Sequence, residues 1–246
     1  MTIAAAALAV LLGAGLQSAT GFGFALVSAP ILFALLGPQE AVSAGALLGI
    51  ELSALTLATE RRVPSVLRGD ALALVAWSLP GLALGALALR ELPDRVLSVL
   101  VAAGVLVALG LRLRGRGRAR AGEPLGPSRP WMTAAAGVSS GALSTATSLS
   151  GPPLVLHLLA RGVSPQQMRD TLAAVFVALA ALTVVALLIA GAFVVPRGLV
   201  VLLAAALAGQ VLGRRGFALL RGERHEDAVL AVLALTAIVA LVSSVL

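Results

Sequence analysis

The sequence predicts an all-α, polytopic membrane protein built from two inverted repeats, each a broken or re-entrant helix hairpin followed by three transmembrane helices. Three observations predict it. Hydrophobic residues make up 59% of the 246 and charged residues only 12%, with a mean hydropathy of +1.04, far from the balance of a soluble domain. A long apolar segment interrupted by small residues and proline occurs twice. The basic residues, all arginine, fall where only two oppositely oriented halves would gather them on one side of a membrane.

Eight apolar stretches run at 3–36, 41–58, 71–89, 96–111, 131–160, 172–195, 198–213 and 228–246. Crossing the hydrocarbon takes about 20 helical residues. The first stretch exceeds that, because 30 residues of helix reach about 45 Å, so it must tilt, protrude or turn back. Its start, Met1-Thr-Ile-Ala, has no basic region and leads straight into the interruption Gly21-Phe-Gly-Phe-Ala-Leu-Val-Ser-Ala-Pro30, so it reads as retained structure and not as a signal peptide. Gly37-Pro38-Gln39-Glu40 then reads as a helix start, with proline in the first position and Glu40 placed to complete the cap. The next three stretches each suit one span.

Residues 1–111 form the first predicted repeat and 131–246 the second. Between them, 112–130 is a Gly/Pro/Arg linker expected on the cytoplasmic side. The second repeat opens with 131–160, again too long for one crossing and again interrupted, by Ser144-Thr-Ala-Thr-Ser-Leu-Ser-Gly-Pro-Pro153. Its arms, near 131–143 and 152–161, would each reach about 15–20 Å and meet near the midplane. Ser164-Pro165-Gln166-Gln167 repeats the helix start at an offset of 127, and Gly209-xxx-Gly213 repeats Gly81-xxx-Gly85 at 128. Such small pairs let helices approach closely; packing within one chain is favoured over the seam of a homodimer.

The arginines decide orientation. If both long stretches cross once, the loops divide them ten to eight; if both return or cross twice, the division is fifteen to three. The second arrangement obeys the positive-inside rule, and it gives each half an odd number of net crossings. The halves are therefore inverted. Matching broken helices in inverted halves are the best sequence pointer to a transporter's binding site.

Several classes are excluded. Without cysteine there is no disulfide framework or thiolate metal site, and two histidines with three methionines do not make a soft-metal carrier, so no metal or cofactor is expected. No nucleophile–base pair or cluster of acids suggests an enzyme. The net charge of +7 lies between spans, where it sets topology and meets anionic lipid; nucleic acid is not an expected partner.

The candidate site lies in the two interruptions. Backbone groups freed there must be satisfied inside the bilayer, and helix N-termini favour an anion. The expected contributors are Gln17, Ser18, Thr20, Gly21, Gly23, Ser28 and Pro30 from the first, with Ser144, Thr145, Thr147, Ser148, Ser150, Gly151 and Pro152 from the second. Glu51, mid-span, is a candidate for proton coupling, since an acid there costs about 2.5–3.5 kcal/mol on insertion scales. Gln210 reads as an interhelical hydrogen-bonder, His157 as a packed polar residue and Arg169-Asp170 as a local ion pair.

The runs Gln17-Ser-Ala-Thr-Gly-Phe-Gly-Phe-Ala-Leu-Val-Ser-Ala-Pro30, Leu149-Ser-Gly-Pro-Pro-Leu-Val-Leu156 and Arg169-Asp-Thr-Leu-Ala173 resemble the sulfite exporter TauE/SafE family of membrane permeases. The resemblance implies a multi-pass protein of a cell membrane, of the bacterial inner type, that exports sulfite, an organosulfonate or a related small anion. It places the family's glycine-rich motifs on Gly21, Gly23 and Pro30 and on Ser148, Ser150, Gly151 and Pro153. Many members carry more consecutive glycines; here Phe22 and Phe24 intervene in one motif and serine or threonine replaces glycine in the other. An anion channel, or an assembly subunit without flux, are the alternatives.

Overall fold

The computed structural model describes residues 2–59, 63–118 and 130–219. Among them every regular element is a helix: α1 Thr2–Thr20, α2 Phe24–Leu36, α3 Pro38–Ala58, α4 Arg68–Glu91, α5 Asp94–Arg118, α6 Pro130–Thr147, α7 Gly151–Ala160, α8 Pro165–Ile189 and α9 Leu199–Leu219. The expected span at 228–246 and most of the linker lie outside the described residues. What is described of the linker is helical, since α5 runs on through Arg118.

Both long stretches are broken. The first breaks at Gly21 and Gly23, whose φ of 81° and 113° lie in the left-handed region that glycine enters without steric cost. Beyond the break α2 packs against α1 so closely that a Cβ on Gly13 would sit 2.8 Å from the Phe24 carbonyl. The second breaks at Ser148, which takes the same left-handed turn with φ 61° although it carries a side chain. Gly21 and Ser148 stand 127 residues apart. Prolines 152 and 153 open α7, where their missing N–H groups break no helical bond.

Two sequence expectations need correction. Pro30 does not close the first break but lies inside α2, because the two glycines alone turn the chain and α2 restarts at Phe24. The arm before the second break is α6 to Thr147, longer than expected, since Ser140, Ser144 and Thr147 are accommodated within helix and do not interrupt it.

The helix starts at Pro38 and Pro165 form as read, but their caps differ. Ser164 Oγ accepts from the Gln167 N–H at 3.3 Å, with the Gln167 carboxamide oxygen also 3.3 Å from the hydroxyl. Glu40 does not finish a cap. Its buried carboxylate reaches Arg197, accepting from the backbone N–H and lying 3.4 Å from Nε. Nearby, Ser43 Oγ accepts from Val194 N–H at 3.1 Å. The first turns of α3 thus hold the segment that leads into α9. The first turns of α8 do the same for the segment leading into α4, where Asp170 accepts from Ser65 N–H at 2.7 Å and Thr171 from Leu67 N–H at 3.1 Å. Ser43 and Asp170 are again 127 apart.

The most extensive packing joins α4 to α6 and α1 to α9. A Cβ on Gly81 or Gly85 would overlap the carbonyls of Val138 and Ala142; one on Gly209 or Gly213 would overlap those of Leu11 and Gly15. These four glycines are buried against helices of the same chain, so their role is intrachain packing. Helices α3 and α8 cross between the two pairs, with Gly49 against Ala180.

The outward faces are apolar. Trp77, Leu79, Leu84 and Leu87 on α4, Leu188 and Ile189 on α8 and Val200 and Leu212 on α9 are exposed, a surface that water would not tolerate and acyl chains solvate. Pro38–Ala58, Arg68–Glu91 and Gln166–Ile189 are long and apolar enough to cross a bilayer. Together with apolar helices α1, α2, α7 and α9, they make this a multi-pass membrane protein.

Candidate functional site

The two breaks meet across a central cavity of about 70 Å³. At roughly 10–15 Å³ per water centre, it admits a handful of waters or one small ion. The first break supplies Phe22 and Gly23 and, at the start of α2, Phe24, Ala25 and Leu26. The second supplies Ser148, Leu149 and Ser150 and, at the start of α7, Gly151 and Pro152. Gln17 and Ser144 come from the ends of α1 and α6, and the remaining wall from α3 and α8.

Seven pairs of lining positions are separated by 127 residues: Gln17 with Ser144, Phe22 with Leu149, Gly23 with Ser150, Phe24 with Gly151, Ala25 with Pro152, Gly49 with Phe176 and Ser53 with Ala180. The backbone repeats, but the chemistry does not. The first-half wall is mostly apolar, with Phe22, Phe24 and Leu26, whereas the second-half wall presents the hydroxyls of Ser144, Ser148, Ser150 and Thr183.

Those hydroxyls are unevenly engaged. Ser144 and Thr183 share a hydrogen bond of 2.8 Å that ties α6 to α8. Ser148 Oγ and Ser53 Oγ are buried with no partner among the described residues, and both residues line the cavity. A buried unpaired hydroxyl costs about 1–3 kcal/mol, so each is poised to bond whatever enters. Gly45 lets this happen: a Cβ there would lie 2.5 Å from Ser148 Oγ and push the second break off α3.

Amide donors are also unequal. Helix α2 starts with three consecutive N–H groups, at Phe24, Ala25 and Leu26, that have no intrahelical acceptor, since the first helical bond runs from Val27 to Gly23. In α7, two prolines remove two of the corresponding donors. Among the described residues no lining side chain is charged. The groups that could attract an anion there are hydroxyls, backbone amides and the positive ends of two helix dipoles. Among the described residues no cluster of His, Asp or Glu is arranged to hold a metal.

Of the residues expected at the site, Gln17, Gly23, Ser144, Ser148, Ser150, Gly151 and Pro152 line the cavity. The others lie elsewhere. Ser18 donates to the Gly15 carbonyl at 3.0 Å beneath Gly213. Thr145 donates to the Leu82 carbonyl of α4 at 2.9 Å, Thr147 to Leu143 at 2.8 Å and Ser28 to Phe24 at 2.9 Å. All three hydroxyls are spent on helix carbonyls, the usual fate of Ser and Thr inside a helix. Pro30 is interior to α2. Gly21 turns the chain but abuts the Arg169 side chain, whose guanidinium donates to the Ser18 carbonyl at 3.3 Å and so faces the negative end of α1. The side chain of Thr20 lies outside the described residues.

Glu51 sits mid-α3 but does not line the cavity, and its Oε2 is buried without a partner among the described residues. The lining face of α3 is Gly45, Gly49 and Ser53, spaced by four, and a helix turns about 200° between Gly49 and Glu51. Gln210 Nε2 donates to Thr56 Oγ1 at 3.1 Å, an interhelical bond between α9 and α3. His157 is buried on α7. Residues missed by sequence reasoning are Ser53, Gly45, Gly49, Phe176 and Thr183. Their one signal is helical spacing, every three or four residues, at Gly45, Gly49 and Ser53 on α3 and at Phe176 and Thr183 with Ala180 on α8.

The family model for the sulfite exporter TauE/SafE matches residues 5–240, nearly the whole chain. No curated protein and no solved structure matches it.

Proposed function

From the premise that the chain belongs to the sulfite exporter TauE/SafE family, a family of membrane permeases, we propose that it moves a small anion, sulfite or an organosulfonate, outward by alternating access through the central cavity. Its halves, 1–111 and 131–246, act as inverted repeats joined by a cytoplasmic linker, and each broken pair of helices is re-entrant. The paired contacts of Gly81 with Val138 and Gly209 with Leu11, and of Asp170 and Ser43 with the segments before α4 and α9, support a two-fold relation between halves. Membrane lipid covers the exposed leucines and valines.

The observation that carries the proposal is the pair of unpartnered buried hydroxyls, Ser53 and Ser148, at an uncharged cavity where two helices begin. An apolar wall opposite a hydroxyl wall suits an anion with a short carbon chain as well as sulfite itself.

Anion flux into proteoliposomes at equal protein incorporation tests the site. Gly23→Trp and Gly151→Trp should abolish flux while Arg116→Ala, in the distal part of α5, leaves it unchanged. Break variants that transport like wild type would remove the cavity from the pathway. Flux that rises with driving force and never saturates with substrate would mark a channel instead. Orientation has its own test in this cysteine-free chain. Single cysteines at Ala119 and Ala218 should both be shielded from an impermeant thiol reagent in intact cells while one at Val194 labels; labelling of Ala119 and Ala218 from opposite sides contradicts inversion.

A further inference from the structure

Helix α7 begins at the cavity with Gly151 and Pro152, and His157 follows on the same helix, six residues or about 9 Å farther along its axis. The imidazole is buried, with 4% of the residue exposed, and its Nε2 has no hydrogen-bond partner among the described residues. A buried ring nitrogen left unpaired is costly and calls for a reason. Past the end of α7, Arg161 pairs with Asp70 of the first turn of α4 at 3.2 Å, and both charges act electrostatically on His157. The pair is partly solvent-exposed, 32% and 18% for the two side chains, so the ring lies between a wet ion pair and the anion cavity.

The other elements packed on α7 add little charge that reaches the ring. Helix α6 carries no charged residue. On α8, Arg169 is bonded to the Ser18 carbonyl and Asp170 to the Ser65 amide. Helix α5 carries Asp94 and Arg95 in its first turn, and its arginines at 112, 114, 116 and 118 have side chains outside the described residues.

Resting on the reading of the cavity as an anion site, we propose that His157 is the proton-coupling residue of this protein: an anion in the cavity and a proton on His157 favour each other along α7. Imidazole is the side chain that changes charge between pH 5 and 8. A positive charge about 10 Å from a bound anion, at an effective dielectric near 20, strengthens binding roughly tenfold, and by reciprocity the anion favours the proton equally. The sign follows: affinity is highest where the ring is protonated and falls as pH rises through its titration. The Asp70 carboxylate attracts a proton on the ring and the Arg161 guanidinium repels one, so changing either charge moves the pH at which the coupling is felt. Glu51, away from the cavity, takes no part.

The test is the pH dependence of methanesulfonate binding to the purified full-length protein, a probe whose own charge is constant across the range. Wild type should bind more tightly at pH 5 than at pH 8, by up to roughly tenfold. His157→Gln should bind with one affinity throughout, and Asp70→Asn should move the midpoint to lower pH, a shift that a merely structural histidine would not produce. Glu51→Gln should keep the wild-type profile. A pH dependence that survives in His157→Gln, or disappears in Glu51→Gln, overturns the assignment and leaves the anion site standing. Equal wild-type affinity at both pH values does the same. No methanesulfonate binding at any pH, with sulfite flux also absent, overturns the anion site and the coupling together. Should His157→Gln fail to fold, the Asp70→Asn midpoint decides alone, and an unmoved midpoint counts against the proposal.

Discussion

The two breaks use different residues to make the same turn. In the first, Gly21 and Gly23 supply the left-handed backbone and phenylalanines flank them; in the second, Ser148 accepts the left-handed turn at some steric cost and prolines restart the helix. The conformations coincide at Gly21 and Ser148, 127 residues apart, while the side chains they present differ. Geometry has been kept by both halves and chemistry divided between them. The first wall contributes mostly apolar surface and free amides with the single hydroxyl of Ser53, the second the hydroxyls of Ser144, Ser148, Ser150 and Thr183.

If the likeness is structural, matched substitutions in the two halves should fail alike. Gly81→Leu drives a side chain into the Val138 carbonyl and Gly209→Leu into that of Leu11. Overpacking of this kind costs about 1–3 kcal/mol and often more against backbone. Both variants should lower the thermal unfolding temperature in detergent by similar amounts. One tolerated and the other not would mean that the two helix pairs are not equivalent.

If the difference is chemical, exchanging character across the cavity should alter selectivity and leave folding intact. Phe24→Ser replaces apolar wall with a hydroxyl, so the preference for ethanesulfonate over sulfite should fall roughly tenfold, the scale for losing an apolar contact of one or two methylenes. Competition flux measurements read this directly. An unchanged ratio would show that the first wall does not touch the substrate's carbon chain.

The sequence made the helices, the doubled break and the paired helix starts legible because each has a local cause: apolar length, left-handed glycine, proline at the first turn. Gly81, Gly85, Gly209 and Gly213 were legible as close-packing positions, but which helix each would meet was not, since α4 finds α6 and α9 finds α1 across the repeat boundary. Of the fourteen residues expected from the two breaks, seven line the cavity. Ser18, Ser28, Thr145 and Thr147 looked identical to Ser148 and Ser150 in sequence, and only their helical position, with a carbonyl one turn back or a neighbouring helix to bond, takes them out of the cavity. Ser53 escaped notice for the opposite reason: it lies in an unbroken helix and becomes part of the site only because α3 crosses both breaks. Glu40 resembled a capping residue until a segment 157 residues away claimed its carboxylate.

The central claim is that the unpartnered hydroxyls at the junction of the two breaks bind the transported anion. The half-saturating sulfite concentration for flux, measured in proteoliposomes with Ser53→Ala and with Ser148→Gly, which keeps the left-handed turn, tests it most directly. Losing one hydrogen bond to a charged ligand is worth about 1.5–3 kcal/mol, so each variant should raise that concentration roughly ten- to a hundredfold with the maximal rate largely retained. Wild-type values in both variants, alongside a raised value in Thr147→Ala, whose hydroxyl is bonded within α6, would contradict the claim.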